Sequence, residues 1–266
     1  MEYIFKLGAF GLRWYSVLIA AGVIMGTWVA SIEAKRRNES TDHVFNIVLL
    51  ALPLALIGAR TYHVIDQWNI VYKHDPFRVL LINEGGIGIY GAVAGGILAV
   101  FIYCKVKKLP VTRWLDIGAP ALILGQAIGR WGNFFNEELY GAPTNLPWAI
   151  YVPPDKRILG YEGYNNFHPL FLYESLLNLA AFAALMYVGR RFHARLKTGD
   201  LGLMYGLFYG SIRLGLENLR IGNWLVNGQV PVATIISGTA VVICGGALLY
   251  RHLSAPRRSA EKQLQD

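Results

Sequence analysis

The chain has 266 residues, 54% of them hydrophobic and only 16% charged, with a net charge of +8 and a mean hydropathy of +0.37. Soluble globular domains carry about 25% charged residues, so this composition excludes an ordinary soluble domain and points to a membrane. Two cysteines, Cys104 and Cys244, both within apolar runs, exclude a disulfide framework and a CxxC metal site.

Seven apolar stretches are long enough, or nearly so, to cross ~30 Å of hydrocarbon as helices. They lie near 14–34, 44–65, 87–104, 114–135, 168–188, 201–217 and 230–250. The first is too long for a signal-peptide core, and Lys35, Arg36 and Arg37 close it, so it reads as a retained helix. The expected fold is an all-α polytopic membrane protein forming a single domain over 1–266. Its polar tail, 251–266, is expected to be flexible and cytoplasmic.

Orientation follows from the basic residues. One set of loops carries Lys35–Arg37, then Lys105, Lys107, Lys108 and Arg113, then Arg190, Arg191, Arg195 and Lys197, then Arg251, Arg257, Arg258 and Lys262. The opposite loops carry fewer: Lys6, Arg13, Lys73, Arg78, Lys156, Arg157 and Arg220. The N-terminus is therefore expected outside and the C-terminus in the cytoplasm. The positive charge is topological, and no nucleic-acid partner is implied.

Arg60, Arg130 and Arg213 fall inside the second, fourth and sixth segments, where an arginine costs roughly 2.5–3.5 kcal/mol on insertion scales. Arg60 reads as a snorkelling residue or a cavity-lining one. Arg130, Asn133 and Glu137 follow an i, i+3, i+7 ridge, with Asn136 and Glu138 just beyond. Tyr209, Arg213, Glu217 and Arg220 follow i, i+4, i+8, i+11. Two arginine-bearing stripes suit an anion, because the planar guanidinium stays charged and binds phosphate bidentately.

The run "NEGGIGIYGAVAGG" contains Gly86-x-Gly88-x-x-Gly91. With no preceding strand it is not a dinucleotide loop. The glycines read instead as close helix packing, as do Gly202, Gly206 and Gly210. His168 and Pro169 open the fifth segment, and a buried Glu174 in it calls for an arginine partner. The histidines are scattered, with no HExxH, GxSxG or phosphate loop, so no metal or cofactor is expected.

These motifs resemble the bacterial prolipoprotein diacylglyceryl transferase family. The resemblance runs from "LRWYSVLIAAG" (Leu12–Gly22) to the last helix and is most specific at "GRWGNFFNEELYG" (Gly129–Gly141). "GAR" (Gly58–Arg60), "GGIGIYG" (Gly85–Gly91), "HPLFLYE" (His168–Glu174) and "YGSIRLGLENLR" (Tyr209–Arg220) follow in the family's order. It implies a bacterial inner-membrane enzyme whose active site faces outward. Such an enzyme moves diacylglyceryl from phosphatidylglycerol to the lipobox cysteine of a prolipoprotein signal peptide, forms a thioether and releases glycerol phosphate.

By the same resemblance Arg130 and Arg213 neutralise the phosphate, and Tyr90 and Glu138 join them as catalytic candidates. Tyr15, Arg60, Asn133, Asn136, Gly141, His168, Glu174, Tyr209, Glu217 and Arg220 form or support the substrate site. Tyr90 stands where many members have a histidine, and Glu137 where a small residue is usual. The alternative, an anion channel or transporter, requires polar residues to continue inward. The inner halves of segments one, three, five and seven are nearly all apolar. A scaffold would not need so many buried ionic groups.

Overall fold

The computed structural model describes residues 3–7, 10–81, 85–86, 88–222, 225–226 and 230–254. Each expected segment is a helix: α1 (Trp14–Arg36), α2 (Thr41–Asp66), α3 (Ile89–Val106), α4 (Val111–Phe135), α5 (Leu170–Arg191), α6 (Asp200–Gly215) and α7 (Val232–Leu253). Most of the expected tail lies outside the described residues, and its first part, to Leu253, is the end of α7.

The structure is mostly helical, consistent with the all-α expectation. Among the described residues three short antiparallel pairs lie outside the helices: β1 (Tyr3–Leu7) with β2 (Phe10–Arg13) ahead of α1, and, in connections, β3 (Ile150–Tyr151) with β4 (Asn166–Phe167) and β5 (Leu225–Val226) with β6 (Val230–Pro231). Extended connections that must satisfy their own N–H and C=O groups do so by pairing. The pair β3–β4 belongs to a small core of Tyr140, Val152 and Phe167, so the long connection 136–167 is built, not loose.

Five helices, α1, α2, α3, α5 and α7, are long and apolar enough to cross a membrane. Their large apolar side chains face outward: Leu49 is 69% and Val242 73% exposed, an arrangement that only a hydrocarbon solvent makes favourable. The two helices that miss this mark are informative. Sixteen residues make α6 only about 24 Å long, and α4 carries Asp116, Gln126, Arg130 and Asn133 along its length. They are the two that carry Arg130 and Arg213.

The chain divides into two compact units, residues 1–26 with 119–266, and residues 27–118. In the first, Ala119 and Ile123 of α4, Ala181 and Leu185 of α5, and Leu201 of α6 form a buried apolar cluster. Gly206 and Gly210 let α6 approach Cys244 and the Ser237 carbonyl of α7. In the second unit α2 and α3 pack backbone to backbone. A side chain on Gly91 would overlap the Gly58 carbonyl, and one on Gly95 the Leu54 carbonyl. The glycine run is thus a helix-packing seam. At the other end of this unit Arg113 binds Glu39 at 2.8 Å and Arg37 binds Asp116 at 3.7 Å. Burial lowers the pKa of Arg37, partly countered by Asp116.

The seam predicts a contrast between two neighbouring glycines. Gly91→Ala should destabilise the folded protein by about 1–3 kcal/mol through overpacking. Gly96→Ala, whose side chain meets nothing within 4 Å, should be neutral or stabilise by up to about 1 kcal/mol through helix propensity. Thermal unfolding of both variants in one detergent checks this, and equal melting temperatures would refute it.

Candidate active site

The polar cluster begins where α4 ends. Glu137 takes a left-handed conformation, φ 57°; its N–H bonds the Phe134 carbonyl at 3.1 Å, and the Glu138 N–H bonds the Asn133 carbonyl at 3.0 Å. This doubly bonded helix stop normally uses glycine, and a larger residue there costs about 1–2 kcal/mol. The expected ridge therefore stops at Phe135. Glu138, not Glu137, comes back to the helix: its Oε1 accepts from Asn133 Nδ2 at 3.0 Å and from Asn136 Nδ2 at 3.2 Å.

Asn133 couples opposite charges. Its Oδ1 accepts from Arg130 Nη1 at 3.3 Å while its Nδ2 donates to Glu138, a double role that an aspartate or a leucine cannot play. Arg130 is held from the other side by Glu174, Nε to Oε2 at 2.5 Å. Glu174, 3% exposed in the second turn of α5, also accepts Arg220 on Oε1. One unbroken chain thus runs Arg220–Glu174–Arg130–Asn133–Glu138–Asn136. Trp131 donates to Ser175 Oγ at 3.2 Å and Ser175 donates to the Ala127 carbonyl at 2.9 Å. These bonds hold α4 against α5 beside the ion pair.

The second expected stripe is only half realised. α6 stops at Gly215, Glu217–Leu219 make a single 3₁₀ turn, and Arg220 is extended, φ −87° and ψ 139°. Arg213 still pairs with Glu217, but Arg220 leaves the stripe and reaches α5. Arg213 lies within electrostatic range of Glu174, Arg220 and Tyr209, and Tyr15 within range of Glu138 and Arg130. Tyr209 stacks on Tyr205, whose hydroxyl accepts from Gln126 Nε2 at 2.9 Å. Tyr15 packs on the open face of Gly132, where a side chain would collide with its ring.

Gly141 works through its backbone. Its N–H bonds the His168 carbonyl at 2.9 Å, the next N–H, of Ala142, bonds Leu219 at 2.7 Å, and Gly141 bridges to Arg220. A Cβ there would lie 2.8 Å from both His168 Cβ and the Leu219 carbonyl oxygen. Only glycine lets this strand pass between the segments that carry His168 and Arg220. His168 Nδ1 lies 3.2 Å from the Tyr173 hydroxyl, which accepts from Trp148 Nε1 at 2.7 Å. Trp148 was not among the expected residues; its partner is twenty-five positions away, beyond any helical spacing.

A cavity of about 180 Å³ opens at this end of α4, lined by the polar Asn133 and Glu138 and the apolar Phe134, Phe135, Ile150 and Phe171. Tyr140 also lines it and is missing from the expected site. Burial raises the Tyr140 pKa, against the Ile158 N–H and the charge of Arg157, so the phenol stays neutral. A wider cleft of about 550 Å³ shares Glu137, Glu138 and Tyr140 and adds Arg13 and Lys156.

The first unit thus brings together Tyr15, Arg130, Asn133, Asn136, Glu138, Gly141, His168, Glu174, Tyr209, Arg213, Glu217 and Arg220. Tyr90 and Arg60 belong to the second unit. Tyr90 is half-buried in the first turn of α3, its ring 5.6 Å from that of Tyr62. Arg60 is buried and, among the described residues, its hydrogen bonds all go to backbone carbonyls. No group of three His, Cys, Asp or Glu suited to a metal occurs among the described residues.

Residues 2–251 match the family described as prolipoprotein diacylglyceryl transferase. The phosphatidylglycerol–prolipoprotein diacylglyceryl transferase of Gloeobacter violaceus is 39% identical over 97% of this chain and 95% of that protein. The enzyme of the same name from a Nostoc strain is 42% identical over 92% of this chain and 88% of its own. That from Finegoldia magna is 39% identical, covering 97% and 98%.

The doubly paired glutamate generates a stability prediction. Glu174→Ala leaves the half-buried Arg130 and Arg220 without their shared, buried counter-charge, which should cost up to about 3 kcal/mol. Thermal unfolding in detergent measures this, and a melting temperature within one degree of wild type would contradict the network.

Proposed function

The chain belongs to the prolipoprotein diacylglyceryl transferase family, and on that premise we propose how its polar cluster performs the reaction. The enzyme transfers diacylglyceryl from phosphatidylglycerol to a prolipoprotein. In our reading the acceptor is the thiol of the lipobox cysteine. Sulfur bonds to the glycerol carbon that bears the phosphate, the C–O bond breaks, and glycerol phosphate departs. A phosphodiester with one negative charge becomes a monoester with a second pKa near ~6. The protein's task is therefore to stabilise charge growing on phosphate oxygens. The thiol proton balances against that new phosphate oxyanion.

The observation that carries this reading is the donor inventory of two arginines. Arg130 commits Nε to Glu174 and one Nη1 hydrogen to Asn133; its Nη2 has no hydrogen-bond partner among the described residues. Among the described residues Arg213 commits only Nη1, to Glu217. Each is braced by one carboxylate and keeps donors for an anion, the bidentate geometry suited to a phosphate. We assign Asn133, Asn136 and Tyr15 to orienting the headgroup. Glu138, Glu174, Glu217 and Arg220 hold the arginines, and Gly141 and His168 fix the backbone around them. Tyr209 flanks Arg213. Tyr90 remains a catalytic candidate in the second unit.

We place the enzyme in the bacterial inner membrane with all seven helices crossing, the N-terminus outside, the C-terminus cytoplasmic and the site toward the outer face. The surplus of Lys and Arg in one set of loops supports this orientation. α4 and α6 cross despite their polarity because their arginines, amides and carboxylates pair with one another and need not meet lipid. The whole chain, 1–266, acts as one transferase domain between two membrane-borne substrates.

Purified protein in nanodiscs with phosphatidylglycerol and a lipobox peptide should yield a diacylglyceryl adduct on the peptide cysteine by mass spectrometry. Arg130→Ala should lower kcat by about 100-fold or more. Absence of an adduct from folded wild type would refute the reading.

A further inference from the structure

Arg60 offers a contrast with Arg130 and Arg213 in the same terms. It is 7% exposed, and all of its donor nitrogens are spoken for. Nε donates to the Val79 carbonyl at 3.0 Å. Nη1 donates to Gly85 at 2.5 Å and Gly86 at 3.2 Å. Nη2 donates to Arg78 at 2.5 Å and Leu81 at 3.1 Å. A guanidinium has five N–H groups, and here five backbone carbonyls receive them. No donor remains for a phosphate oxygen. The guanidinium also lies 5.5 Å from the centre of the Tyr72 ring, which further compensates a buried cation.

The cage has a consequence for the chain it grips. The carbonyls belong to a 3₁₀ turn, Pro76–Leu80, to Leu81 just after it, and to Gly85 and Gly86 ahead of α3. Gly85 and Gly86 have positive φ, 87° and 79°, and a side chain on Gly86 would fall 2.5 Å from His63 and 2.7 Å from Arg60 Nη1. Two residues on, the Gly88 N–H bonds the Ala59 carbonyl at 3.0 Å, next to Arg60 in the sequence. Arg60 and its neighbour thus fasten the approach to α3 onto α2, and the first turn of α3 carries Tyr90. Lysine cannot substitute: three tetrahedral N–H groups do not span five carbonyls laid around a planar fork.

We propose that Arg60 is a positioning residue, a carbonyl-collecting clamp that sets the start of α3 and with it Tyr90, and that it does not bind the lipid phosphate. This rests on the transferase reading for its kinetic consequence. The clamp itself is a property of the second unit alone.

Arg60→Lys, Arg60→Gln and Gly86→Ala distinguish the two roles. Gly86→Ala wedges the clamp while leaving the Arg60 charge in place. The clamp predicts that all three variants lower kcat by on the order of 100-fold, the cost of ~1 Å of misplacement. The KM for phosphatidylglycerol should stay within about twofold of wild type, and lysine should rescue no better than glutamine. Hydrogen exchange on the peptide covering 78–91 should accelerate in each variant but stay unchanged in Arg130→Ala, which reports on folding elsewhere. Rescue by lysine with a raised, salt-sensitive KM would instead make Arg60 an anion ligand. A fully active Gly86→Ala with unchanged exchange would also overturn the clamp. If wild type itself forms no adduct, the transferase reading fails, while the exchange result still decides the clamp.

Discussion

A guanidinium taken out of water must find acceptors for five N–H groups and compensation for its charge. In the first unit one carboxylate supplies the compensating charge for both Arg130 and Arg220. Glu174, buried at 3% exposure, accepts α4's arginine on one oxygen and the arginine beyond α6 on the other. A buried pair is rarely worth much in net stability, yet breaking it is costly. Its value here is register. Three chain segments far apart in sequence cannot shift without leaving a charge unpaired, and the free face of Arg130 is aimed as a result. The glycine at 141 serves the same end, since the strand that pins Arg220 passes where no side chain fits.

Much of this was legible in the residues. The seven apolar segments became helices within a few residues of their expected ends, because hydrophobic runs bounded by basic clusters leave little choice. The need of Glu174 for an arginine followed from burial alone. What failed was periodicity carried past a helix end. Arg130–Asn133–Glu137 and Tyr209–Arg213–Glu217–Arg220 both assume a helix that continues. α4 stops through a left-handed glutamate, a conformation that residue rarely adopts, and α6 stops at Gly215. Helix ends are decided by local hydrogen bonds that apolar patterning does not encode. In each case the broken ridge is what brings Glu138 back to Asn133 and sends Arg220 across to Glu174.

The carbonyl partners of Arg60 were hidden for a related reason. Side chains advertise their chemistry in a sequence, whereas every residue has a carbonyl, so nothing marks which five will converge. The same holds for Gly141, whose role is the room it leaves, and for Trp148 and Tyr173, whose contact depends on how the connection 136–167 folds on its own small core. Arginine is consequently a poor guide by identity alone. Arg157, for instance, spends its donors on the Val152 and Glu162 carbonyls and on Asn165, as scaffold.

What lies beside the polar cluster in the same helices argues for chemistry over passage. Along α4 the environments run from Arg130 and Asn133 at one end, past Gln126 bonded to Tyr205, to Ala119 and Ile123. There the latter pack with Ala181, Leu185 and Leu201 in a buried apolar cluster. Ile123 and Leu185 are almost wholly enclosed. An ion following the arginines would have to leave its hydrogen-bond partners and enter that layer, at a cost of several kcal/mol per unmet group. A reaction needs no such continuation. In the proposed reaction a headgroup has only to reach the arginines while its acyl chains stay in hydrocarbon, and the cavity at the end of α4 is lined by side chains of both kinds, Asn133 and Glu138 together with Phe134 and Phe171. On the proposed reading, a site polar at one end of its helices and packed with aliphatics further along is suited to holding an anionic amphiphile, and the packed layer gives an ion no matching partners.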